Sequence, residues 1–353
     1  MNDETRPVLT ETEIQPPVPK MVFGTGEDLD ANLRELTWLW PNWIPRGHLT
    51  ILGGKPEGGK SIFMLELSRR IYEGKPFPDG AHHDLQGQTV VWGDTESGEG
   101  ITRDRMTNWE MCKRGVRWPM PPDRKSVWRL RLEKQKHEDM GSLEHLECLI
   151  QREPTPLLII DSLQGAVPGK DLDKADTQTL LTPWAEMAQR QNIAIVILHH
   201  VRKGTPGDDR AYTLTFEDLR GTGALGAIAR SVILIDYPDA ASGCKRLRVD
   251  KLNFCTPPPP LAMEIGDDGV SFDGAAPKPA RRDQEVARAE EWLFDLLRHG
   301  AMPRPDVVRM ADAAGFKQRT IDAAFHGDGR FDSRKHEELP KVRVWYIRDR
   351  VSS

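Results

Sequence analysis

Residues 48–72 read HLTILGGKPEGGKSIFMLELSRRIY. Within them Gly54, Lys55, Pro56, Glu57, Gly58, Gly59, Lys60 and Ser61 satisfy G-x-x-x-x-G-K-[ST] without a mismatch. Residues 49–52 form a short apolar run, the mark of a buried strand. Residues 61–72 place Ile62, Phe63, Leu67 and Ile71 at helical spacing and contain no breaker. Strand, glycine loop and helix follow one another as a phosphate-holding loop requires. Gly54, Gly58 and Gly59 let the main chain turn sharply and bring its N–H groups close to phosphate oxygens. The start of the helix adds its positive dipole end. Lys60 can reach β- and γ-phosphates, and the Ser61 hydroxyl can ligate Mg²⁺. The candidate nucleotide-binding set is this octet together with Ile62, the second residue of the helical stretch. The bland alternative, a glycine-rich turn that binds nothing, fits poorly with a strand before it and a helix after it.

The bulk of the chain narrows the class. Its 353 residues suffice for one large α/β domain plus something small. A net charge of −5 gives no overall basic signature, so any nucleic-acid contact must come from local patches. Cys112, Cys148, Cys244 and Cys255 show neither C-x-x-C nor zinc spacing, which suits a reducing compartment. Residues 1–20 are acidic and Pro-rich without an apolar core; they read as a disordered tail and not as a signal peptide. No apolar run approaches the length of a membrane span, so a soluble, cytoplasmic protein is expected.

Trp38, Trp40 and Trp43 precede the first strand and can either pack beside a nucleotide base or fill the core. In the loop at 73–88, His82 and His83 lack a third metal ligand and read as solvated. Residues 89–92 form a second strand that runs into Gly93, Asp94, Thr95, Glu96 and Ser97. Functional groups of open α/β sheets sit just past the carboxyl ends of strands, where Asp94 and Glu96 fall. A carboxylate there can take a proton from an attacking water, or simply cap the following helix. Residues 103–133 are basic and irregular, with Trp109, Trp118 and Trp128 among cations, suited to base stacking or to packing of a peripheral insert. A helix is predicted at 141–152.

Residues 157–162, LLIIDS, are a continuous apolar strand ending in Asp161, which belongs in mid-sheet. Paired with the glycine loop, Asp161 is a candidate Mg²⁺ ligand opposite Ser61. Residues 163–177 read as a polar loop and 178–191 as a helix. The next buried strand, 193–198, ends in His199 and His200; one of these can sense a γ-phosphate by hydrogen bonding. Metal binding by the pair is disfavoured, because adjacent strand residues face opposite sides. Residues 205–218 form a long polar loop, followed by LRGTGALG and a small-residue helix. Strands are predicted at 231–235 and 245–250, an edge hairpin at 261–272 and a linker at 274–281. Residues 282–353 read as a separate winged-helix-like domain of three short helices and a strand pair, with Val342, Val344 and Tyr346 on one face of the last strand, as an edge strand would have them. Lys317, Gln318, Arg319 and Thr320 would face a DNA groove, unless the unit docks protein instead.

The ordered set GGKPEGGKS, GDTES, LLIIDSL, ILHHVRKG, EDLRGTGALGAIARS and VDKLNF resembles the RepA-like branch of RecA-type P-loop ATPases. These phage and plasmid ATPases are related to hexameric replicative helicases of the DnaB type. The resemblance spans about residues 36–272. It implies an α/β, RecA-like P-loop NTPase fold with a central, mostly parallel sheet over residues 21–273. It implies ATP and Mg²⁺ as cofactors, Glu96 as the catalytic glutamate and His200 as the γ-phosphate sensor. Arg220 and Lys251 fall where relatives reach into a neighbour's site, so a ring-shaped homo-oligomer, hexameric by preference, is implied. The Lys-x-Arg of the helicases is here Lys251-Leu252-Asn253, without the usual arginine. The implied activity is a single-stranded-DNA-dependent ATPase, a replicative DNA helicase. A helicase loader, a recombination mediator or an ATP-switched DNA-binding regulator is the alternative. The expected DNA contacts are Lys170 and Lys174 in the loop 163–177, and Lys203 and Arg210 in the stretch 202–218.

Overall fold

The computed structural model describes residues 24–28, 35–132, 143–168, 177–201, 211–239, 242–279, 281–327, 330–336 and 342–347. Two compact units divide the chain, Met1–Leu36 and Thr37–Ser353. In the first, Asp28 accepts hydrogen bonds from the Thr25 backbone N–H and hydroxyl. The expected disordered tail, residues 1–20, lies outside the described residues, as do Lys170, Lys174, Lys203 and Arg210. Among the described residues every strand belongs to the second unit.

The strands are β1 (Trp38–Trp40), β2 (Ile44–Pro45), β3 (Leu49–Gly54), β4 (Val90–Asp94), β5 (Val116–Arg117), β6 (Leu157–Asp161), β7 (Ala194–His200), β8 (Ser231–Asp236), β9 (Lys245–Leu252), β10 (Leu261–Gly266) and β11 (Gly269–Ser271). Nine of these make one sheet in the order β11-β10-β9-β8-β3-β7-β6-β4-β5. From β8 to β5 every pairing is parallel, and β9 to β11 extend the sheet antiparallel. The predicted edge hairpin is thus β10–β11. One strand, β7, separates β3 from β6, so the glycine loop and Asp161 leave the same edge of the sheet two strands apart. The class is α/β, a RecA-like P-loop fold with a mostly parallel central sheet.

The middle strands are apolar on both faces because both faces are covered. Leu52, Trp92, Ile159, Val196 and Ile233 pack on one side; Ile51, Leu158, Ile160, Ile197 and Leu234 pack on the other. Helices α1 (Lys60–Glu73), α2 (Glu99–Asn108), α3 (Leu143–Arg152), α4 (Leu163–Ala166), α5 (Thr177–Gln191) and α6 (Thr222–Ile228) complete this part. Trp40 and Trp43 settle in the core: both are fully buried, stacked with ring centroids 4.4 Å apart, and Trp40 also stacks on Phe77 at 5.6 Å. Such pairs contribute about 0.5–1.5 kcal/mol beyond their buried area.

Three local expectations need correction. The stretch predicted as irregular from residue 103 begins inside α2, and Trp109 is buried beside it. The polar loop predicted at 163–177 opens with α4, whose N-cap Ser162 accepts a bond from the Gly165 N–H. The third concerns the last strand. Helices α7 (Arg281–Leu297), α8 (Arg304–Ala313) and α9 (Gln318–Gly327) pack with a sheet of β12 (Met302–Pro303), β13 (Phe331–Lys335) and β14 (Arg343–Ile347) in the order β12-β14-β13. Their own apolar cluster includes Leu293, Val307, Ile321, Phe325, Phe331 and Trp345. Trp345, on the face opposite Val342, Val344 and Tyr346, is buried and stacks on Phe325 at 3.9 Å. The strand expected at an edge thus lies in the middle of its sheet, and Val344 on the other face is buried as well.

Candidate functional site

The loop between β3 and α1 is built for close approach to an anion. Glu57 and Gly59 adopt left-handed backbone, with φ of 58° and 97°. A Cβ at Gly58 would lie 2.9 Å from the Lys55 carbonyl oxygen, so only glycine closes the turn that the Gly58 N–H makes to that oxygen. Gly59 is the N-cap of α1, and no side chain caps the helix. Its first-turn N–H groups therefore point into the loop without an internal acceptor. Lys60 is buried, and its Nζ donates to the carbonyls of Gly54 (3.0 Å) and Lys55 (2.6 Å). Burial lowers its pKa to about 8, against the pull of the Asp161 and Glu96 carboxylates; Lys245 lowers it further.

Asp94 and Asp161 are register partners at the ends of β4 and β6. The Asp161 carboxyl is pushed up to about 6 by burial. A hydrogen bond from the Ser61 hydroxyl and the Lys60 charge oppose that rise; Glu96 and Asp94 add to it. Hydroxyl and carboxylate are hard oxygen donors of the kind that hold Mg²⁺, which needs only one or two protein ligands beside phosphate and water. Among the described residues there is no group of three or more His, Cys, Asp or Glu that could hold a metal ion.

Glu96 stands exposed at the rim, beyond β4. Its Oε1 accepts a hydrogen bond from Ser162 Oγ at 2.5 Å, and its N–H donates to Asp94 Oδ1 at 2.8 Å. The two candidate roles at this strand end are therefore divided. Asp94 is buried and caps the turn through the N–H groups of Glu96 and Ser97, while Glu96 faces the site. Burial raises the Asp94 pKa, and the Arg129 guanidinium 3.3 Å away opposes the rise.

Several supporting contacts escaped the sequence reading. Thr95 Oγ1 donates to the Asp161 carbonyl at 2.8 Å and accepts from the Ser162 N–H at 2.7 Å. Arg131 donates to the carbonyls of Thr95 (3.3 Å) and Gly165 (3.0 Å). The turns after β4 and β6 are thus tied together. The Lys55 ammonium lies 3.7 Å above the ring of Tyr212. These contacts cannot be read from a local motif; the partners of Thr95 lie 66 and 67 positions away.

His200 Nδ1 lies 3.3 Å from Lys60 Nζ. An ammonium only donates, so Nδ1 accepts and the proton sits on Nε2. Burial, helped by the nearby charge of Lys60, lowers the His200 pKa to about 4, so the ring is neutral near pH 7. Arg220 precedes the left-handed Gly221 that starts α6 (φ 65°), and its guanidinium has no hydrogen-bond or ion-pair partner among the described residues. Lys251 lies within β9, and its ammonium donates to the Gly226 and Ala229 carbonyls at the end of α6. The structure thus brings Lys60, Ser61, Glu96, Asp161 and His200 together. Lys251 is engaged with its own chain. His82 and His83 stay apart from this cluster, and His83 Nε2 is 2.8 Å from the Lys75 carbonyl.

A family model described as an AAA domain matches residues 17–206, more than half of the chain. No curated protein matches. Among solved structures, the KaiC-like protein PH0186 from the hyperthermophilic archaeon Pyrococcus horikoshii OT3 is similar at 14% identity, over 65% of this chain and 92% of that one, with a TM-score of 0.42. A likeness that distant assigns no residue a role.

Proposed function

We propose, from the premise that the chain belongs to the AAA domain family, that this P-loop ATPase binds ATP with Mg²⁺ and hydrolyses it at the carboxyl ends of β3, β4 and β6. The observation that carries the reading is the convergence of Lys60, Ser61, Glu96 and Asp161 in one cluster. The loop N–H groups and the start of α1 grip the phosphates. Lys60 exchanges the Gly54 and Lys55 carbonyls for phosphate oxygens and stabilises the charge developing on the γ-phosphate. Ser61 and Asp161 would hold Mg²⁺, which supplies further neutralisation of phosphate charge when bound. Glu96 orients the attacking water and takes its proton. The His200 Nε2–H is placed to donate to the γ-phosphate.

The finer reading is a single-stranded-DNA-dependent ATPase, a RepA-type replicative DNA helicase of phage or plasmid origin acting in the cytoplasm as a ring, hexameric by preference. The ordered motif set supports it, and so does the Arg220 guanidinium, which has no hydrogen-bond or ion-pair partner among the described residues. Among the described residues no helix is long and apolar enough to cross a membrane. Of the two cations considered for the neighbour's site, Arg220 is preferred over Lys251, whose ammonium serves two carbonyls. The domain division proposed is 21–273, a linker at 274–281 and a winged-helix-like unit at 282–353. The separate core of that last unit favours a second reading, in which ATP switches a loader or regulator that never unwinds DNA.

ATP turnover with and without single-stranded DNA tests both readings, together with strand displacement. Lys60→Ala and Glu96→Gln each lose roughly 100-fold or more in turnover. Glu96→Gln keeps ATP binding, measured by calorimetry. Normal hydrolysis by Glu96→Gln would remove Glu96 as the base. DNA-stimulated turnover without strand displacement would favour the second reading.

A further inference from the structure

We propose that His199 is a positioning residue for Arg220, tying the Arg220 main chain to the strand end that carries His200. This rests on the reading of Arg220 as the cation that completes an ATP site.

His199 and His200 are consecutive on β7 and so face opposite sides of the sheet. They pair in register with Gly53 and Gly54 of the phosphate-loop strand. His200 turns to Lys60. His199, 1% exposed, turns the other way, and its Nε2 lies 2.8 Å from the Arg220 carbonyl oxygen. A carbonyl only accepts, so Nε2 carries the proton and donates. The other ring nitrogen, Nδ1, is buried with no hydrogen-bond partner among the described residues. The Arg220 bond is therefore the polar function of this ring. Burial, opposed by that bond, lowers the His199 pKa to about 4, which keeps the ring neutral.

The segment that delivers Arg220 is fixed at both ends. Upstream, the N–H groups of Leu214 and Phe216 donate to the carboxylates of Asp236 (3.1 Å) and Asp250 (2.6 Å). Downstream, Leu219 bridges to Val201 and packs against Gly53, where a Cβ would lie 2.7 Å from its side chain. His199 makes the last contact before the chain turns at Gly221. The Arg220 guanidinium has no hydrogen-bond or ion-pair partner among the described residues, so its backbone anchor sets its reach. A movement of the β7 end when His200 meets phosphate would reach Arg220 through the His199 hydrogen bond and, one residue earlier, through the Val201–Leu219 bridge.

The test is a double-mutant cycle on full-length protein, measuring kcat and KM for ATP. Arg220→Ala should lower kcat. His199→Leu should lower kcat by ~10-fold or more, within the ~100-fold that a misplacement of about 1 Å costs, with KM within about twofold. His199→Gln, whose amide can donate to the same carbonyl, should recover most of that loss. The His199→Leu, Arg220→Ala double variant should be no slower than Arg220→Ala alone. Effects that multiply in the double variant would mean a general structural role and overturn the proposal, as would native kcat in His199→Leu. If His199→Leu does not fold, His199→Asn, whose amide is too short to span the gap, takes its place in the cycle. Full turnover by Arg220→Ala, with Lys60→Ala inactive, would also overturn the proposal while leaving the phosphate-loop reading intact. Mixing adds a second readout. Lys60→Ala chains should restore turnover to Arg220→Ala chains if the arginine crosses between subunits, and Lys60→Ala, His199→Leu chains should restore far less. Equal restoration would count against His199.

Discussion

A methyl group at residue 165 has nowhere to go: its carbon would stand 2.3 Å from Thr95 Oγ1 and 2.7 Å from Glu96 Cγ. Gly165 lies in α4, just past Asp161, and its close approach lets Ser162 reach the Glu96 carboxylate. Gly165→Ala should therefore displace Thr95 and Glu96 together. Overpacking of this kind costs about 1–3 kcal/mol of stability. The proposed catalytic role of Glu96 adds a second effect, a fall in kcat larger than any rise in the KM for ATP. Steady-state kinetics beside a urea titration separates the two. A variant that is destabilised yet turns over at the native rate would detach Glu96 from the chemistry. Legibility in the sequence divides at this scale by the length of the contact. Gly58, Gly59, Lys60 and Ser61 announced themselves because a phosphate loop is made by neighbouring residues. Gly165, Thr95 and Ser162 did not, because their packing joins the turns after two strands about 66 positions apart.

Helix α2 shows the same limit for an element. It buries only Thr102 and Met106, so it carries no apolar stripe for a periodicity search to find. What holds its start is charge. Arg129 reaches Glu99, in the first turn, with two bonds of 2.9 and 2.7 Å, and stands 3.3 Å from Asp94. The bonds from Arg129 lower the Glu99 pKa from 4.5 to about 2. A carboxyl lowered on folding stabilises the protein above its unfolded pKa, and that contribution is lost as pH falls through the folded value. The window here runs from 4.5 down to about 2. Glu99 is one-third exposed, so the pair is discounted to about 0.5–1 kcal/mol. Glu99→Gln should therefore unfold at lower urea than the native chain near pH 7, and the gap should close as pH falls through that window. A gap that stays constant with pH would assign the effect to packing and not to charge. By contrast β3, β6 and β7 were legible outright, since strands covered on both faces must be apolar throughout.

For the molecule as a whole, the proposed division between the sheet and residues 281–347 rests on distinct cores. The two large clusters flank the nine-stranded sheet, and the third draws only on residues of α7 to β14. The proposed linker at 274–281 was suggested by its Gly- and Pro-rich run and by the change from strands to short helices. The place of the last strand in its sheet was misread. Alternation at Val342, Val344 and Tyr346 suggested an edge strand, whereas β14 lies between β12 and β13 and sets Trp345 against Phe325. The consequence is a vulnerability confined to one part. A core of this size contributes only about 3–5 kcal/mol of net stability. Trp345→Ala costs about as much, since truncating a buried aromatic loses roughly 3–5 kcal/mol. Trp345→Ala in the full chain should therefore unfold residues 281–347 at room temperature while the sheet stays folded. Calorimetry should lose its lower transition and keep the upper one, and ATP turnover without DNA should stay within about twofold of native. If turnover instead collapsed as in Lys60→Ala, the sheet would depend on the small core, and independent function of residues 281–347 would have no physical basis.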